Sequence, residues 1–150
     1  MPQSLANVLI HIAFSTKRRR TFLTKDVRPE LASYMAAVMK TCESPALIIE
    51  CVEDHAHILC SLSRTRAISE VIQKVKKRSS KWIKTKGSSF QDFQWQAGYG
   101  AFSVSQSRVA AVRDYIATQE KHHRRMTFQE EFRRLLQKNG IEYDERYVWD

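Results

Sequence analysis

Apolar positions along the chain keep two different rhythms. Val8, Ile10, Ile12 and Phe14 alternate with Leu9, His11 and Ala13, a period of two that predicts a strand, and Lys17-Arg18-Arg19-Arg20 closes it as a basic loop. From about Asp26 to Lys40 the period lengthens, and Leu31, Tyr34, Met35 and Val38 mark one side of a helix. Pro45 opens a second strand, Ala46 to Val52, and Glu53-Asp54 reads as a tight turn into a third, His55 to Ser63. Ile68, Val71, Ile72, Val75, Trp82 and Ile83 form the apolar stripe of a helix from Ile68 to about Lys86, with Lys74, Lys77, Lys81 and Lys84 on another face. Gln94 to Ser103 contains Gly98-Tyr99-Gly100 and reads as a bent strand or loop, with a short strand at Ala101 to Val104. Ser105 or Ser107 caps a helix from about Arg108 to His123. Thr127 with Glu130 is a capping-box pattern for a last helix that stops before Asn139-Gly140. The aromatic, charged tail from Ile141 to Asp150 is expected to dock on the body or on a partner chain.

The resulting order, β-α-β-β-α-β-α-α, predicts an α+β fold. It is a ferredoxin-like (RRM-like) sandwich: an antiparallel sheet with helices on one face and extra C-terminal helices. At 150 residues the expectation is a single domain over 1–150, with 124–150 a C-terminal helix and tail. No apolar run approaches the ~20 residues that cross a bilayer. Met1 to Phe14 lacks the charged region and cleavage site of a secretory signal, so a cytoplasmic location without membrane attachment is expected. Cys42, Cys51 and Cys60 lie in or beside apolar runs without zinc-ribbon spacing and read as buried small hydrophobes. Charge changes the picture more. Twenty-five Lys and Arg against sixteen Asp and Glu give +9, which favours a polyanionic partner such as nucleic acid. Lys17, Arg18, Arg19 and Arg20 and the helical Lys74, Lys77 and Lys81 are the first candidates for phosphate contacts, with Arg124 and Arg125 next. Trp82 reads as core, whereas Trp95 and Tyr99 are candidates for stacking on bases.

Candidate chemistry lies in two places. On the third strand His55, His57, Leu59 and Ser61 share one face, and Ala56, Ile58, Cys60 and Leu62 share the other, which should pack on the helices. The two imidazoles stand roughly 7 Å apart at Cβ, a gap that one metal ion can bridge. On a continuous helix Tyr115 and Gln119 lie about 40° apart around the axis and ~6 Å along it, at the edge of the Val109, Val112, Ile116 stripe. Such a tyrosine is ordinarily a core or rim residue, but its phenolic oxygen is able to attack phosphorus. With an unperturbed pKa near ~10 it needs help, which a divalent ion on the phosphate would supply. The Gln119 side-chain carbonyl offers a third ligand. His11 falls on the face of Leu9 and Ala13 and reads as a structural histidine.

These residues resemble a known family in chain order. Val52-Glu53-Asp54-His55-Ala56-His57-Ile58-Leu59 is similar to its His-hydrophobic-His strand, and Trp95 to Val104 to the segment before its catalytic helix. Tyr115-Ile116-Ala117-Thr118-Gln119-Glu120-Lys121-His122-His123 is similar to that helix, and Gly140 to Asp150 to its tail. The family is the HUH-type single-tyrosine transposases of the insertion-sequence 200/605 group, near their REP-associated relatives. The resemblance implies a homodimer in which each tyrosine helix can complete the partner's site. It implies Tyr115 attacking single-stranded, hairpin-containing DNA to leave a 5′-phosphotyrosine, with His55, His57 and Gln119 holding Mg²⁺ or Mn²⁺. Ala56 departs from the larger aliphatic common at that position, and imidazole ligands by themselves favour zinc over Mg²⁺. Other readings are a domesticated or inactive DNA-hairpin-binding protein of the same fold, an RRM-like RNA-binding module, and a metal hydrolase that uses water.

Overall fold

The computed structural model describes residues 2–150. Strand β1 (Leu9–Ser15) is buried along its whole length and sits inside a four-stranded antiparallel sheet. Its neighbours are β3 (His55–Ser61) and β4 (Gly100–Val104), and β2 (Ala46–Cys51) pairs with β3 to give the order β2-β3-β1-β4. Helices α1 (Val27–Thr41) and α2 (Ile68–Ile83) connect β1 to β2 and β3 to β4. Each crossover skips one strand, the split β-α-β pattern of a ferredoxin-like sandwich.

Period-two alternation decides which side chains meet which helices. Ile10, Ile12 and Phe14 join Ala56, Ile58 and Cys60 on one face, packed against Leu31, Met35, Val38 and Met39 of α1 and Val71, Ile72, Val75 and Ile83 of α2. At ~1.5–3 kcal/mol for each large apolar side chain buried, this face supplies most of the driving force. The three cysteines are free and buried.

The opposite face is covered by the C-terminal helices α3 (Val109–Ala117), α4 (Gln119–His123) and α5 (Phe128–Lys138). Phe128, Phe132 and Leu136 of α5 pack on Ala13 and Phe102. Gly100 permits that approach: a Cβ there would lie 2.7 Å from Phe132 Cε1. Thr127 Oγ1 accepts from the Glu130 amide, so the expected cap opens α5.

Three expectations change in detail. The helix expected from Arg108 to His123 is interrupted at Thr118, whose hydroxyl donates to the Asp114 carbonyl at 2.9 Å and whose backbone leaves helical geometry. Tyr115 and Gln119 therefore sit on two helices rather than one. Helix α2 ends at Ile83, and Lys84–Lys86 tighten into a 3₁₀ turn. Trp95 is 7% exposed and its Nε1 donates to Ser79 Oγ at 2.9 Å, so it is a core residue and no stacking platform. Trp82 is half-buried and stacks on Tyr34. The tail docks on the body: the Asp150 carbonyl accepts from the Gly98 amide at 2.7 Å, and Trp149 lies against Phe132. No helix among the described residues is long and apolar enough to cross a membrane.

Candidate metal centre and active site

The register of β1 against β3 places Ala13 opposite His57 and Ser15 opposite His55. These small side chains leave room for two imidazoles on the face that α1 and α2 do not cover. His55, His57 and Glu131 of α5 are all buried, and their ligand atoms lie within 4.8 Å of one another. Glu131 Oε1 accepts from His57 Nε2 at 2.9 Å and from His123 Nε2 at 3.3 Å, and stands 3.7 Å from His55 Nε2. Its other oxygen accepts a hydrogen bond from the Tyr115 hydroxyl. One carboxylate thus touches both imidazole and phenol, within a single chain.

The network assigns the ring protons. Asp54 Oδ1 can only accept, so His55 Nδ1–H donates to it at 2.7 Å, leaving His55 Nε2 bare. Burial pushes the His55 pKa down to about 4, which keeps the ring neutral despite the hydrogen bond to Asp54. Its lone pair faces Gln119 Oε1 at 3.4 Å as well as Glu131 Oε1. The Gln119 amide is oriented by Nε2 donating to the Tyr115 carbonyl at 3.4 Å. Three acceptor atoms therefore converge with no hydrogen between them, an arrangement that a cation satisfies and that is otherwise repulsive. The residues fit a divalent ion. His57 Nδ1 accepts from His11 Nε2 at 2.8 Å, so His11 is the partner that fixes the His57 tautomer. Burial first, then the neighbouring His57, lowers the His11 pKa to about 3.

Charge is unevenly shared. Burial favours protonation of Glu131, but hydrogen bonds from His123, His57 and Tyr115 outweigh it and hold the carboxyl far below the usual range. Burial, then the Glu131 charge and hydrogen bond, raise the Tyr115 pKa above its ordinary value. Tyr115 is held as a neutral phenol, with its ring against His122.

Of the residues singled out in the sequence, His55, His57, Gln119 and Tyr115 are brought together here. The basic candidates lie elsewhere. Lys17, Arg18 and Arg20 are exposed on a turn in which Arg18 and Arg19 both adopt positive φ, beside the strand end that carries Asp54 and His55. Arg19 is half-buried beneath the Trp149 ring. Lys77 and Lys81 are exposed and Lys74 half-buried on α2, across the sheet from the histidines. Sequence reasoning missed Glu131, although a signal was present. It is a carboxylate set between Phe128, Phe132 and Leu135 on the apolar stripe of its helix, where a charge needs a reason to be buried.

A family model described as "Transposase IS200 like" matches residues 4–119. No curated protein matches the chain. Among solved structures, a Deinococcus radiodurans R1 protein assigned as a transposase is similar over 79% of this chain and 98% of its own, at 19% identity and TM-score 0.62. A REP-associated tyrosine transposase bound to a REP hairpin is similar over 82% of this chain and 72% of its own, at 13% identity and TM-score 0.60. At these identities the two structures speak for the fold.

Proposed function

As the chain belongs to the IS200-like transposase family, we propose that it cleaves and rejoins single-stranded DNA with Tyr115 as nucleophile and a divalent ion on His55 and His57. The observation that carries this reading is the convergence of the Tyr115 hydroxyl and both imidazoles on Glu131. Glu131 and Gln119 are both placed to supply the remaining donor, and Mg²⁺ or Mn²⁺ is the proposed metal. The bound ion would offset charge on the phosphoryl oxygens as a Lewis acid.

The residues of the chain do the rest. Tyr115 Oη forms a bond to phosphorus while the bond from phosphorus to the 3′ oxygen breaks; the phenol gives up its proton, and the leaving oxygen gains one to become a 3′-hydroxyl. The product is a 5′-phosphotyrosine. Attack by a 3′-hydroxyl reverses the step, so rejoining needs no nucleotide energy source. Asp54 holds His55 in the tautomer that bares Nε2. The His57 ring, oriented by His11, can move its proton from Nε2 to Nδ1 with His11 then accepting, which frees Nε2 as a ligand atom. Glu131 keeps the phenol protonated until its negative charge is offset, which ties nucleophile activation to a loaded site.

The proposed substrate is a single strand flanked by a hairpin. The +9 charge and the exposed Lys17, Arg18 and Arg20 support a nucleic-acid partner, and the fold is shared with a transposase bound to a REP hairpin. The test uses 3′-labelled single-stranded DNA from the gene's flanks with Mn²⁺ and a denaturing gel. Wild type should give a covalent protein–DNA band, and Tyr115→Phe should lose it while binding DNA nearly as well. An undiminished band in Tyr115→Phe excludes this tyrosine.

A further inference from the structure

Helix α3 buries only Ile116. Ala111, Val112 and Tyr115 occur at helical spacing and, with Arg108 just ahead of them, face a cleft of about 560 Å³ between α3 and α5. This lies within the ~300–1,000 Å³ typical of sites for small organic groups. Phe102 and Val104 of β4, Val112 of α3 and Leu135 of α5 are part of its lining. Arg108 and Lys138 stand exposed in its lining, which among the described residues includes two cations and no carboxylate. Ser103, Ser105 and Asn139 add hydroxyl and amide groups. Tyr115 and His11 are part of the same wall, so the cleft opens onto the proposed nucleophile.

We propose that this cleft seats the unpaired nucleobase adjoining the phosphate that Tyr115 attacks, with Arg108 and Lys138 on the flanking phosphates. Three features select that occupant. Phe102, Val104, Val112 and Leu135 offer apolar surface to a planar ring, Ser103, Ser105 and Asn139 supply donors and acceptors for base edges, and the cations match a polyanion. A base held beside Tyr115 would also fix which phosphate comes within reach, so the cleft would set the cleavage position. The inference rests on the single-strand reading above, but its test reads binding and needs no cleavage.

The probes are fluorescein-labelled strands of about 15 nucleotides, one all-thymidine and one of the same length with abasic residues throughout, within the ~4–16-nucleotide footprints of single-strand binders. Their affinities are compared by anisotropy for wild type and Ala111→Trp, which sets an indole in the cleft. Wild type should prefer the base-bearing strand by roughly tenfold or more. In Ala111→Trp that preference should fall below about threefold, with abasic-strand affinity unchanged. Arg108→Ala with Lys138→Ala should weaken both strands alike. An undiminished preference in folded Ala111→Trp overturns the proposal. Photocrosslinking of the wild type to a 5-iododeoxyuridine strand tests it without any substitution. Adducts should map to β4, α3 or α5; adducts confined to α2 and Tyr99 would place the base elsewhere. A chain that shows the base preference but never forms a covalent band would sink the phosphotyrosine reading and leave the cleft standing.

Discussion

Replacing Glu131 by Gln keeps the side chain's volume and removes its charge, at a position only 1% exposed. The carboxylate accepts from His57 Nε2 at 2.9 Å, His123 Nε2 at 3.3 Å and the Tyr115 hydroxyl. An amide has one accepting oxygen and no charge, so the bonds from His57, His123 and Tyr115 lose their charge assistance, and its NH₂ group is best turned toward the Tyr115 hydroxyl, which can rotate to accept from it. Replacing charge-assisted bonds, worth ~1.5–3 kcal/mol each, by neutral ones, worth ~0.5–1.5 kcal/mol, should cost about 2–4 kcal/mol over the three. Against a total stability of ~5–15 kcal/mol that is a large loss, readable by urea unfolding near neutral pH in chelator. The pH dependence has a definite sign. The native carboxyl has a depressed pKa, so its contribution is fully present above the unfolded value near ~4.3 and is lost as pH falls below it. The gap between wild type and Glu131→Gln should therefore close on acidification. Mn²⁺ affinity by calorimetry should also fall by about tenfold or more. A gap below about 0.5 kcal/mol near neutral pH, or one that stays constant into acid, refutes a charged Glu131 at the hub of this cluster.

Three further outcomes are expected. In chelator, wild-type stability should decline as pH drops below the ordinary histidine value of ~6.5, continuing toward about 4 for His55 and about 3 for His11, because both rings are buried neutral and the unfolded chain protonates first; a flat urea midpoint across that window would count against it. Gly100→Ala sets a methyl 2.7 Å from Phe132 Cε1 and should cost about 1–3 kcal/mol, displacing α5 and with it Glu131; a fully stable variant with unchanged Mn²⁺ affinity would contradict the close packing. Single-strand affinity should fall steeply with salt, and neutralising Lys17, Arg18 and Arg20 should flatten the slope by up to ~0.7 for each phosphate those side chains neutralise; an unchanged slope removes that turn from the interface.

Local patterns determined most of the fold. Alternation in Leu9–Ser15 and His55–Ser61, the stripe of Ile68–Ile83 and the Thr127 cap are properties of neighbouring residues, so a sequence displays them directly. The pairing of His55 with His57 was legible for the same reason: residues two apart on a strand share a face. The break at Thr118 was not: its hydroxyl shares the Asp114 carbonyl with its own amide while the backbone there turns out of helical geometry, a local deviation that no residue spacing announces. Trp95 read as an exposed stacking surface until packing on Phe14 and Phe93 and a bond to Ser79 buried it. The larger gap was the site's centre. Glu131 lies 74 residues from His57 and 16 from Tyr115, and no spacing rule links them. Only the closure of α5 over Ala13 and Phe102, which Gly100 allows, carries that carboxylate onto the histidine face of the sheet. Sequence by itself determined which residues could perform the chemistry; long-range packing decided which of them meet, because apolar burial sets helix position without regard to distance along the chain.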